Sequence, residues 1–119
     1  MSNAAKSILV FGIYLALTGL VFLVVPNTLL ALFGFPTTNE PWIRVVGLLT
    51  VILAYYYIQA ACDEAEPFFR ATVYGRPILI AGFIVFVVLG LAPPTLIIFG
   101  LPDLLGAIWT GLILRTRSA

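Results

Sequence analysis

A chain of 119 residues suffices for one compact unit, and 62% of this one is hydrophobic while 9% is charged, against roughly 25% charged in an ordinary soluble domain. So short a chain has no means of hiding that much apolar surface from water, and the bilayer is the expected solvent. A net charge of +1 excludes a field that gathers nucleic acid, the single Cys62 excludes an internal disulfide or a CxxC pair, and the lack of histidine removes the commonest metal ligand.

Lys6 precedes an uncharged run from Ser7 to Asn39. A crossing needs about 20 residues at about 1.5 Å each, so a first span fits residues 7–25 and Pro26 closes it. Its apolar run is longer than a signal-peptide core of roughly 7–15 residues and is read as retained. Ser2-Asn3-Ala4 carries no weight, since such an opening also arises as a cloning remnant. Gly12, Ala16 and Gly19 recur at i, i+4 and i+7, a small-residue stripe that lets another helix approach closely.

Residues 26–36 (Pro-Asn-Thr-Leu-Leu-Ala-Leu-Phe-Gly-Phe-Pro) return at 93–102 as Pro-Pro-Thr-Leu-Ile-Ile-Phe-Gly-Leu-Pro, once Ala31 is dropped. In the first copy Asn27 is placed to N-cap a short turn, Gly34 suits a left-handed C′ position, and Pro36 forbids continuation. Thr95, Gly100 and Pro102 repeat that logic, so two short caps at the membrane surface are expected.

The second span has a start signal in Thr38 or Asn39, Glu40 and Pro41, and runs from Trp42 to Cys62 with Trp42 at headgroup level. Gly47, Thr50, Ala54 and Ala61 fall on its inward face. Asp63, Glu64 and Glu66 then read as a solvated loop and helix start rather than a metal site. A third span follows from Pro67 to Leu91, with Arg70 and Arg76 in its first turns, a bend at Pro77, and Gly82 and Gly90 on a close-packing edge. The fourth, from Pro102 or Asp103 to Thr116, is short for a crossing.

The chain therefore predicts a single membrane domain, 1–119, of the all-α integral membrane class. It is a four-transmembrane-helix bundle of two parallel αα-hairpin repeats, residues 7–62 and 67–116, each with a short interfacial cap, the second and fourth spans at the centre. Lys6, Arg70, Arg76, Arg115 and Arg117 gather at one end and Arg44 alone at the other, so both termini are expected in the cytoplasm, of a bacterial inner membrane.

Two groups of polar residues stand out. Arg44-Val45-Val46-Gly47 and Asp103-Leu104-Leu105-Gly106 match within the repeat, and their opposite charges are expected at similar depth as an ion pair between the hairpins. Tyr56, Gln59 and Asp63 share a face of the second span. With Tyr14, Tyr74 and Arg76 they are expected to line a small amphipathic cavity with the arginine at its mouth, suited to a lipid headgroup or an acidic amphiphile. No nucleophile has a base beside it in sequence, and no phosphate loop or zinc spacing occurs. The expectation is a non-enzymatic protein without cofactor or metal. It associates with membrane lipids and with itself or other membrane subunits, or else binds or carries a lipid or small hydrophobic molecule.

In its four short spans and its Arg44-x-x-Gly47 start to the second, the chain resembles small bacterial membrane proteins of the broad DoxX-like kind. The resemblance implies the four-helix layout and no catalytic residue; the Phe-Gly-x-Pro caps lie outside it.

Overall fold

The computed structural model describes residues 1–118, with side chains to Thr116; the Arg117 side chain, counted above among the basic residues, lies outside the described residues. The described chain is all-helical: α1 (Asn3–Val24), α2 (Pro26–Leu32), α3 (Trp42–Cys62), α4 (Glu66–Val88) and α5 (Leu96–Ser118). Four of these are long and apolar enough to cross a membrane, α2 being the exception.

Helix α1 starts four residues before the expected Ser7. Ser2 is its N-cap, the side-chain oxygen accepting the Ala5 N–H at 3.0 Å. Ser2 also donates its backbone N–H and its hydroxyl to the Glu64 carboxylate, at 2.6 and 2.9 Å. The residues set aside as a possible remnant thus tie the start of the chain to the α3–α4 loop. In that loop Glu64 takes a positive φ of 51°, and the Ala65 N–H bonds back to the Ala60 carbonyl at 3.0 Å, closing the end of α3.

Helix α1 packs along α3, and the small residues expected to permit this do so. A Cβ on Gly47 would stand 2.6 Å from the Leu23 backbone nitrogen and 2.8 Å from the Gly19 carbonyl oxygen, so the two backbones touch. Helix α4 packs against α5 with Gly100, Gly106 and Gly111 facing Ile80, Arg76 and Val73. Gly82 faces open space, and Gly90, at φ +75°, ends α4. Neither forms the expected edge.

The hairpins meet chiefly through α1 and α5, not through the second and fourth spans at the centre. The core is Ile8, Phe11, Leu15, Ala54, Tyr57, Ala61, Phe69 and Leu114 with Ala4 and Ala5. Large apolar side chains such as Leu17, Leu49, Ile78 and Leu112 cover the outside.

The two caps differ. The first is a separate helix, α2, ended by Gly34 at φ +76° with the Phe35 N–H on the Leu30 carbonyl at 2.8 Å. Asn27 does not cap it; its side-chain oxygen accepts the Thr38 N–H at 2.9 Å and pins the connection to α3. The second cap is not separate, because α5 begins at Leu96 and runs through Gly100 and Pro102 without a break. In the first copy residues 37–41 give the chain length to turn before restarting. In the second, Asp103 follows Pro102 directly, so losing one backbone bond at Pro102 costs less than a turn with no slack. Fusing the cap to the fourth span brings α5 to 23 residues, long enough for a crossing. The cap phenylalanines meet, Phe33 and Phe99 at 4.2 Å between ring centroids, so both caps lie at the same end of the bundle.

Candidate functional site

Arg76 is the centre of the polar interior. Helix α4 carries it in from Glu66, and the side chain leans back one turn, as helical side chains do, onto Thr72. It is 4% exposed, buried inside the bundle rather than at the mouth of a cavity. Its Nε donates to the Thr72 carbonyl at 3.2 Å, and Nη2 donates to the hydroxyls of Thr72 at 3.2 Å and of Thr110 at 3.0 Å. The guanidinium lies over the Phe11 ring, 4.8 Å from its centroid, a stacking that suits arginine. Gly106 makes room on the other side, since a Cβ there would come within 2.8 Å of Nη1 and 3.2 Å of the Phe11 ring.

The hydroxyls form a directed chain. Ser7 donates its one proton to the Ala4 carbonyl at 2.7 Å. Its 2.7 Å contact with Thr110 therefore has Thr110 as donor. Thr72 likewise donates to the Phe69 carbonyl at 2.7 Å. Protons thus run from Arg76 to Thr110, to Ser7, to the α1 backbone, and the arginine binds α4, α5 and α1 together.

One end of the guanidinium is left over. Nε and Nη2 are occupied, while Nη1 is buried and has no hydrogen-bond partner. Asp103, 9% exposed, lies one helical turn before Gly106 on α5. It is coupled to Arg76 through space but shares no hydrogen bond with it. Both line a groove of about 340 Å³ that opens outward between α3 and α4. Its apolar walls include Leu53 and Tyr57 of α3 and Gly75 and Leu79 of α4.

The expected constellation is assembled only in part. Tyr14 is half-buried and reaches the site through Phe11, their rings 5.6 Å apart. Tyr56 is exposed and leans on Tyr55, Gln59 is exposed and donates to Asp63 at 3.1 Å, and Tyr74 is 77% exposed. All three point away from the cavity they were expected to line. Tyr57 takes the place assigned to Tyr56, its ring 5.3 Å from Phe11 and edge-on to Phe68. The seam of Gly47, Ala54 and Ala61 already marked it, because position 57 falls on that face and position 56 does not.

Arg44 and Asp103 do not pair. Arg44 donates to the Leu23 carbonyl at 2.5 Å and closes the C-terminus of α1, where the backbone carbonyls lack partners and the helix dipole favours a cation. Their helices touch at most marginally, and the cation that shares a groove with Asp103 is Arg76. Ser7 and Thr72 had no place in the expected site. No family model, curated protein or solved structure matches this chain.

Proposed function

We propose that this chain is a non-enzymatic integral membrane protein that binds an amphiphilic molecule of the bilayer. The headgroup sits against Arg76 and Asp103 and the tail lies in the α3–α4 groove. The observation that carries this reading is Arg76, a buried cation one of whose donors, Nη1, has no partner, and which with Asp103 lines a groove that opens to the outside. Leaving such a donor unsatisfied is costly, and a site that keeps one is complementary to a guest that satisfies it. The four long apolar helices and the apolar outer faces fit insertion in a bilayer. The bundle then stands as two hairpin repeats with the termini in the cytoplasm of a bacterial inner membrane, in keeping with its DoxX-like layout.

A second reading is favoured by the same opening. Helices α3 and α4 follow one another in sequence yet meet closely only near their loop, through Tyr57 and Phe68, and Gly75 and Gly82 leave space on the outer face of α4. A second copy or another membrane subunit would then lay a helix in the groove. Gly75→Leu separates the two, because a side chain fills the groove at a position where nothing stands within 4 Å. For protein drawn from native membranes into mild detergent, amphiphile binding predicts co-purifying lipid in native mass spectra of the wild type and none in Gly75→Leu, both monomeric. Loss of an oligomer in the variant, with lipid unchanged, establishes the subunit reading instead.

A further inference from the structure

We propose that the groove selects a headgroup of zero net charge that carries both a hydrogen-bond acceptor and a donor, as a monoacylglycerol does. This rests on the amphiphile-binding reading and narrows it to a ligand class. The site presents two opposite charges, the Arg76 guanidinium and the Asp103 carboxylate, on the wall of one groove. Both residues are more than nine-tenths withdrawn from solvent. Little water is at hand to screen a third charge, so its sign matters. An anionic head would satisfy Nη1 but stand against the carboxylate; a cationic head would do the reverse. A neutral head with an oxygen acceptor toward the Arg76 guanidinium and a hydroxyl toward Asp103 suits both charges at once. Arg76 is already fixed by Thr72, Thr110 and the Phe11 ring, so the donor is pre-oriented and little ordering is lost on binding. The tail then has Leu53, Leu79 and the open side of Gly75 to lie against.

The test uses the full chain in delipidated nanodiscs with three probes of similar tail length: 1-monooleoylglycerol, hexadecyl sulfonate and oleylamine. Retention by native mass spectrometry and the shift in thermal unfolding are read for each. The expected result is retention of the monoacylglycerol about tenfold or more above either charged probe. Asp103→Asn removes the negative charge at nearly constant shape and is expected to shift the preference toward the sulfonate. Wild-type protein retaining the sulfonate or the amine as well as the monoacylglycerol would overturn the neutral-head class and leave amphiphile binding standing. Equal indifference of wild type and Gly75→Leu to all three probes would overturn both. The wild-type ranking decides the matter even if Asp103→Asn fails to fold.

Discussion

Three hydroxyls and one arginine hold three helices together, and the direction of their protons sets how much each is worth. Thr110 is the acceptor for a cationic donor and also the donor to Ser7. Thr110→Val keeps the shape and removes both, leaving Nη2 with Thr72 alone beside an already unpartnered Nη1. Hydrogen bonds to charged groups contribute about 1.5–3 kcal/mol, and Thr110→Val is expected to destabilise by that order. Ser7→Ala removes only the far end of the chain, and the Thr110 hydroxyl can turn to a carbonyl of its own helix. Its cost is nearer the roughly 0.6 kcal/mol typical of neutral side-chain bonds between membrane helices. Unfolding of both variants by denaturant in mild detergent checks the order, and a larger loss for Ser7→Ala would reverse the assigned direction. Arg76 and Asp103 could be singled out from sequence, because charges inside apolar runs stand out. Their place on one groove could not, since it depends on which helices are neighbours. The charge pattern puts Ser7 at the very start of the first span, whereas capping by Ser2 starts α1 at Asn3 and brings Ser7 inside the bundle.

Helix α1 meets α3 backbone to backbone, so glycine there is a condition of the element pair rather than a local preference. A Cβ at Gly47 would meet the Leu23 nitrogen and the Gly19 oxygen, and neither is the flexible end of a side chain. Gly47→Ala must therefore push the two helices apart along their length. Overpacking of this kind costs typically about 1–3 kcal/mol, and Gly47→Val should exceed the alanine variant. Gly82 supplies the control, because a Cβ there meets nothing. Gly82→Ala is expected to be neutral or slightly stabilising, alanine being the better helix former by up to about 1 kcal/mol. Thermal unfolding of the three variants under one condition tests this, and equal losses at positions 47 and 82 would refute the close crossing. The small-residue spacing in α1 and α3 announced that crossing, whereas Gly82 and Gly90 announced one that the bundle itself does not make. Spacing marks a face but not what covers it. The duplicated caps show the same limit at the level of a whole element: matched residues built a separate helix in α2 and a continuous one in α5, because only the first copy has the extra connection of residues 37–41.

For the whole molecule, both ends of the bundle are fixed by contacts that no single hairpin supplies. Ser2 and Glu64 lie together at one end, and Phe22, Phe33, Phe35 and Phe99 cluster at the other. Orientation in the bilayer then follows from the cations that remain free to set it. Arg76 drops out of that count because it is buried among the helices. Lys6, Arg70 and Arg115 are exposed at the Ser2–Glu64 end, and Arg117 follows in sequence. Arg44, at the end with the phenylalanines, is occupied by the last carbonyls of α1. The excess is unchanged in sign, so the Ser2–Glu64 end is expected to face the cytoplasm. Cys62 is a native reporter of that end, exposed at the close of α3. In intact cells it should escape a membrane-impermeant maleimide and react once the membrane is opened. Asn39→Cys in a Cys62→Ala background should react in intact cells, since residue 39 is exposed in the connection at the opposite end. The reverse pattern would invert the molecule while leaving its bundle intact. Labelling of both positions from one side would be incompatible with α3 crossing the membrane, and the groove beside Arg76 would then open to water, where an unpartnered guanidinium needs no lipid to satisfy it.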